Sequence, residues 1–349
     1  MTTLRAPRTA AAAAGLAALA VLALPALTGC GTQAAGAAAP GPVTPGEGRS
    51  IRATQVSHVT DVHEATGTTL LEGPVLDGRG RLTVVDVTAP AGEPKVLSVD
   101  VTTGRHRGVY TDRTGAYTSA QLSPYDGRMY LTDFASGSVV SIEPDGSDPR
   151  TFFSGKVDGS AMTPDDLAFD ADGHLYVSDA HGTEPDETDG RIVRIDRDGE
   201  RATVLADGLA QPNGIMFDPD LAGLWISELT EDTLSYLLLD AGKTAVTSRH
   251  EAVHVDGGLA QTDSIAVDAD GNLYQGLHGR PAIAVYSKYG ARLATVELPA
   301  EAAAGLRSAT NVAIAPGRRT AYTTVSGPDG GYVYRFEALA EGIRQSNGG

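Results

Sequence analysis

Glu72, Ser119, Asp165, Asn213, Asp263 and Asn311 follow one another at intervals of 47, 46, 48, 50 and 48 residues. Every one of them carries a side-chain oxygen. Asp166 and Ser264, directly after two of them, add two more. No Lys or Arg occupies this register. Carboxylates, amides and a hydroxyl brought to one place in a fold would conflict, because unpaired buried anions are very costly. A hard cation resolves the conflict. Ca²⁺ accepts about six to eight oxygen ligands and tolerates mixed carboxylate and amide donors, whereas Mg²⁺ demands a stricter octahedron and is the second choice among divalent ions. Zn²⁺ is disfavoured, since the register has no His or Cys. The competing reading is a polar channel that is merely hydrated; the acidic bias without a basic partner favours the metal.

The elements that must position these residues are set by a repeat. Residues 170–179 run Asp-Ala-Asp-Gly-His-Leu-Tyr-Val-Ser-Asp, and residues 268–274 repeat the pattern as Asp-Ala-Asp-Gly-Asn-Leu-Tyr. Looser copies give anchor residues at Leu82, Met129, Leu175, Leu224, Leu273 and Ala321. In each copy an apolar run meets a turn of the Asp-Gly type and then an alternating run, and a second hairpin follows. Asp-Gly between apolar runs is a hairpin signal, because Gly tolerates positive φ. Four short strands per repeat of about 48 residues is the unit of a β-propeller. The expected fold is all-β, a six-bladed β-propeller of four-stranded blades over residues 53–342. A strand at residues 53–59 is left over at the start, and it completes the sixth blade and closes the ring. The oxygen-bearing register lies ten residues before each anchor, or eleven in the fourth copy. It therefore begins the innermost strands, at one rim of the channel.

Other recurring positions have simpler readings. Tyr130, Tyr176, Tyr274 and Tyr322 follow their anchors and belong to blade cores. Asp86, Asp133, Asp179 and Glu228 lie four residues after theirs and read as polar caps of strand ends. The Asp-x-Asp-Gly strings at 170–173 and 268–271 are hairpin turns at the opposite face, because no downstream Glu completes a calcium loop. Residues 300–306 suit one or two helical turns. His181 and His278 follow second strands and stand on the same rim as the oxygen donors. No Gly-x-Ser-x-Gly elbow is present, so an activated serine of that type is excluded.

The N-terminal segment has a different character. Arg5 and Arg8 precede an apolar run over residues 10–27, and Leu27-Thr28-Gly29-Cys30 ends it with the only cysteine of the chain. This resembles the bacterial lipobox. It implies a lipoprotein signal peptide over residues 1–29 and lipidation at Cys30. Residues 30–52 then form a flexible tether poor in apolar mass, and residues 343–349 a short tail. The expected location is extracytoplasmic, at a bacterial cell membrane, with the membrane contacted through the lipid alone. The net charge of −17 over 349 residues excludes nucleic acid as partner, which needs a basic face. Nothing in the pattern signals an oligomer, so a monomer is expected.

Four segments carry a family resemblance: Leu71-Glu72-Gly73-Pro74, Pro164-Asp165-Asp166-Leu167, residues 211–215 (Gln-Pro-Asn-Gly-Ile) and Asp263-Ser264. They resemble the signature segments of the gluconolactonase family, which includes senescence marker protein (regucalcin) and diisopropylfluorophosphatase. The likeness is strongest to the bacterial drug-responsive lactonases. It implies a Ca²⁺ ion in the mouth of a six-bladed propeller, with Glu72, Asn213 and Asp263 as ligands. Asp165 stands where many members have Asn. It adds a negative charge, which either tightens metal binding or shifts a ligand role between Asp165 and Asp166. The implied activity is calcium-dependent hydrolysis of a small lactone or related ester. Asp166 and Asp263 are the catalytic candidates, with Asp166 preferred as general base and Asp263 as ligand. Ser119, Ser264, Asn311, His181 and His278 are candidates for contact with the substrate. The rival reading is a membrane-tethered propeller that binds a ligand or protein around a structural metal.

Overall fold

The computed structural model describes residues 48–181 and 188–345. The signal segment, Cys30, most of the tether, the acidic stretch from Glu184 to Glu187 and the last four residues lie outside these.

The alternating runs form strands, and the turn chemistry joins them. At residues 170–174, for example, Asp170 Oδ1 accepts the amides of Asp172 (3.0 Å) and His174 (2.9 Å), closing a hairpin as expected. The strands assemble into all-β, four-stranded antiparallel units in chain order. The innermost strands are Leu71–Leu76, Tyr117–Leu122, Pro164–Phe169, Pro212–Phe217, Gln261–Val267 and Ser308–Ile314. Each contacts the next in the series, and Ser308–Ile314 contacts Leu71–Leu76. The sixth unit takes its fourth strand from the other end of the chain: Thr54–Thr60 pairs with Gly330–Glu337, Thr54 opposite Arg335 and His58 opposite Tyr332. Units five and six are also joined by one backbone ladder pair, Leu277 with Ala309, which links their strands into a nine-stranded sheet.

The apolar side chains pack between successive units rather than within one. Tyr176 and Ile192 of the third unit meet Ile215, Phe217, Leu224 and Ile226 of the fourth. Val59, Tyr322 and Val333 meet Leu71, Leu82 and Leu97 across the closure. The tyrosines after the anchors are buried as expected, and Tyr274 spends its hydroxyl on Asp268 Oδ2 at 2.9 Å.

Three features depart from the sequence pattern. Arg49–Arg52, assigned to the tether, forms a strand parallel to Arg292–Glu297 on the outer edge of unit five. The segment after Glu337, inside the expected domain boundary but assigned no strand, is tied to units five and six. Ala340 N donates to Asp268 Oδ2 (3.1 Å) and Ala269 N to Glu341 O (2.8 Å), while Gly342 bridges Asp268 and Pro316. A small extra hairpin, Lys156–Val157 with Ser160–Ala161, sits between units two and three. The expected helix is a single turn, Ala300–Ala303. Among the described residues no helix is long and apolar enough to cross a membrane.

Gly276 marks the closest approach of units five and six. A Cβ there would lie 1.8 Å from the carbonyl oxygen of Thr310, a backbone atom with no rotamer to yield. Gly276→Ala is expected to destabilise the protein by roughly 3 kcal/mol, the upper part of the overpacking range. Urea unfolding, with the midpoint falling at unchanged slope, checks this.

Candidate functional site

Every innermost strand breaks its ladder at the oxygen-bearing register. The pairing jumps between Glu72 and Val75, Tyr117 and Ser119, Pro164 and Leu167, Pro212 and Ile215, Thr262 and Ile265, and Ala309 and Val312. Such bulges re-aim side chains. They turn consecutive residues, such as Asp165 with Asp166 and Asp263 with Ser264, towards a common region.

The backbone around the bulges is clamped by hydroxyls. Thr118 and Thr132 Oγ1 each donate to Asp165 O at 2.7 Å. Ser178 Oγ donates to Asn213 O and Ser227 Oγ to Asp263 O, both at 2.5 Å, and Thr310 Oγ1 donates to Leu71 O at 2.8 Å. Each of these clamps reaches from one unit to the innermost strand of the next. The sequence reading overlooked them, although a signal existed: Thr132, Ser178 and Ser227 all lie three residues after their anchors. Gly73 serves the same closeness. Its φ is +53°, and a Cβ there would lie 2.6 Å from Ala120 N.

The structure brings most of the expected residues together. Glu72, Ser119, Asp166, Asn213, Asp263, Ser264 and Asn311 are buried, and Asp165 is half-buried. Asp166 Oδ1 accepts Ser119 Oγ (2.5 Å) and Leu167 N (2.7 Å). Ser264 Oγ donates to Asn213 Oδ1 (3.3 Å), and Ser264 N to Asp263 Oδ1 (3.0 Å). His278 Nδ1 lies 3.7 Å from Asp263 Oδ2 and 3.3 Å from Ser308 Oγ.

Burial and mutual repulsion shape the electrostatics. Burial, then the charges of Asp263, Asp165 and Asp166, hold the Glu72 carboxyl well above its ordinary range. Asp165 is raised well above its own by burial, then Asp263 and Asp166. Burial pushes Asp166 up to about 6, against the downward pull of Ser119, the Leu167 amide and Ser264. The neighbouring Asp263 carboxylate raises His278, with burial opposing. Three buried oxygens, Glu72 Oε2, Asp165 Oδ1 and Asn311 Oδ1, have no hydrogen-bond partner. Unsatisfied buried acceptors next to like charges are costly, and an oxygen-only donor set of this kind matches the ligand chemistry of a hard cation. Among the described residues no three His, Cys, Asp or Glu side chains form a tight ligand cluster of their own. The donor set that fits a hard ion includes the amides Asn213 and Asn311 as well as carboxylates.

His181 is placed differently. Its Nε2 lies 3.4 Å from Asp179 Oδ1 and 3.1 Å from Arg191 Nη2, so it engages that buried ion pair rather than the central donors. The chain also carries His250-Glu251-Ala252-Val253-His254, the spacing of a zinc-hydrolase motif that needs a helix to put both histidines on one ion. Here it lies on the strand Val246–His254. Four residues along a strand separate the histidines by about 13 Å. His250 instead meets Ser248 and His254 meets Glu251.

Comparison with known proteins agrees with this geometry. A family model described as the SMP-30/Gluconolactonase/LRE-like region matches residues 70–327. The chain is 27 % identical over 225 residues to a protein named lactonase drp35 from Staphylococcus saprophyticus, covering 62 % of this chain and 68 % of that one. It is 24 % identical to the protein of the same name from Staphylococcus aureus strain USA300, covering 71 % and 75 %. Among solved structures, a gluconolactonase from Xanthomonas campestris superposes with a TM-score of 0.65 at 20 % identity, covering 85 % of this chain and 97 % of that one. A regucalcin from Agrobacterium tumefaciens, described as a calcium-binding protein, does so with a TM-score of 0.65 at 16 % identity, covering 85 % and 99 %. The matched region spans most of the described residues and contains every donor strand, and so the chain belongs to the SMP-30/gluconolactonase/LRE-like family.

Proposed function

We propose that the protein is a lactonase-type hydrolase, and that its units are the blades of a six-bladed propeller with a divalent cation, calcium first, at the channel mouth. The observation that carries the reading is the set of unpartnered buried oxygens on Glu72, Asp165 and Asn311 among four carboxylates. The relatives named lactonase and gluconolactonase supply the reaction class. Glu72, Asn213 and Asp263, with Asp165 beside them, would hold the ion. When bound, the cation supplies Lewis-acid polarisation of the substrate carbonyl.

The chain's own groups do the rest. Asp166 is the general base: Ser119 and the Leu167 amide fix its carboxylate, and burial lifts its basicity towards neutrality, where a base works best. Asn311, Ser264 and His278 face the substrate and orient it. The buried setting strengthens each of these interactions by excluding water. Outside the described residues, the reading keeps Cys30 as a lipid anchor that holds the domain at the outer face of a membrane.

The test is hydrolysis of a panel of small uncharged lactones by the full-length protein. Turnover is expected with Ca²⁺, a loss of at least about a hundredfold with chelator, and recovery on adding Ca²⁺ back. A folded protein that binds Ca²⁺ and hydrolyses none of the panel overturns the hydrolase reading.

A further inference from the structure

Four buried acidic side chains stand behind the donor ring and take no part in the chemistry proposed above. Asp86, Asp133, Asp179 and Glu228 end the second strands of units one to four, and each is 6 % exposed or less. Three of them catch the amide of a residue just entering an innermost strand, and the fourth does so through a threonine. Asp179 Oδ1 accepts Thr163 N at 2.6 Å, two residues before Asp165. Glu228 Oε2 accepts Ala210 N at 2.9 Å, three before Asn213. Asp133 Oδ1 accepts Ala116 N at 3.1 Å, three before Ser119. In unit one the link has one more member. Asp86 Oδ1 accepts the hydroxyl of Thr88, whose oxygen in turn accepts Leu70 N, both at 3.1 Å and two residues before Glu72.

The fold does not require carboxylates there. The corresponding positions in units five and six are Leu277 and Val325, both fully buried. A buried carboxylate is costly where a leucine suffices. Two of the four carry an arginine counter-charge, Arg191 for Asp179 (2.5 Å) and Arg249 for Glu228 (3.1 Å), and Asp86 lies 2.6 Å from His63 Nε2. The arrangement is therefore concentrated where it sets the start of the strands presenting Glu72, Ser119, Asp165 with Asp166, and Asn213.

We propose that Asp86 acting through Thr88, Asp133, Asp179 and Glu228 form a second ring of positioning residues, which fixes the register of the bulges and so aims the channel donors at one ion. The inference rests on the metal reading above. Outer partners that orient ligands typically carry about ten- to a hundredfold in metal affinity.

Isothermal titration of the full-length protein with Ca²⁺ tests it. Asp179→Ala is expected to weaken Ca²⁺ binding by about tenfold or more, and Asp179→Asn to recover most of this, because its amide oxygen still accepts from Thr163 N. Both variants leave Arg191 short of its counter-charge, so a loss of thermal stability shared by the two does not account for a difference in affinity. Thr88→Val is the uncharged companion and decides the matter if Asp179→Ala does not fold. It removes the acceptor for Leu70 N together with the hydroxyl that donates to Asp86, without touching a charge, and about a tenfold loss, restored by Thr88→Ser, is expected. A folded Thr88→Val protein that binds Ca²⁺ within twofold of the unsubstituted chain overturns the positioning role. An unsubstituted chain that binds no Ca²⁺ overturns the metal reading itself, and this inference with it.

Discussion

Asp263→Asn is expected to lower kcat/KM for lactone hydrolysis by about a thousandfold while the protein stays folded. The Asp263 side chain is buried and has two tasks: Oδ1 accepts the Ser264 amide and Oδ2 faces His278. Asparagine keeps the shape and one acceptor. It removes the negative charge and turns an N–H towards either the cation or the imidazole. The backbone has little reason to move, because Asp263 O is held independently by Ser227 Oγ and by Gln275 Nε2 at 2.8 Å. The same substitution relieves repulsion on Glu72 and Asp165, whose carboxyls Asp263 pushes upward. Without metal, the variant is therefore expected to melt no lower than the unsubstituted protein, the usual direction when a strained functional charge is removed. Steady-state kinetics beside thermal melts in chelator check both halves. Activity retained within tenfold would remove Asp263 from the machinery.

Asp166→Asn is expected to separate base from ligand. Its kcat should fall by about a hundred- to ten-thousandfold, the range for losing a positioned general base, while Ca²⁺ affinity stays within a few-fold. The amide oxygen can still accept Ser119 Oγ and Leu167 N, so the geometry of the pocket survives. What disappears is the basicity that burial confers on Asp166. A loss of turnover explained entirely by weaker Ca²⁺ binding would instead assign Asp166 to the metal. That is the alternative left open by two adjacent carboxylates, Asp165 and Asp166, in one strand.

The two variants bear on what the sequence made legible. The units were readable because each hairpin turn has its own chemistry, and a fixed offset from the turn then located Glu72, Asp165, Asn213, Asp263 and Asn311 together. The offset worked because a strand advances by a constant rise and each unit has almost the same length. The bulges were not readable. Nothing in Pro164-Asp165-Asp166 or in Asp263-Ser264 announces an unpaired residue, yet it is the bulge that lets neighbours such as Asp165 and Asp166 share one region. The roles of His181 and His278 depended on contacts between distant segments. Both stand at the ends of second strands, but Arg191 engages one and Asp263 the other. Arg49–Arg52 looked like tether because four residues of modest hydrophobicity form a strand only when the edge of Arg292–Glu297 is offered to them. The His-Glu-x-x-His string shows the converse: a motif without its helix carries no metal chemistry.

The pairing of Thr54–Thr60 with Gly330–Glu337 bears on how the chain reaches its native state. One bond across that seam, from Thr54 Oγ1 to Arg335 O, joins residues 281 apart in sequence. Contacts of such separation form slowly, because the entropy of closing the loop is lost before any pairing rewards it. Until the last strand has been made, the first has no partner, and both present open edges able to pair with another chain. Circular closure therefore makes folding a late, all-or-none event: no N-terminal fragment of the domain holds a complete set of neighbours, and the cluster of side-chain oxygens, drawn from the whole circumference, is assembled only when the two ends of the polypeptide meet.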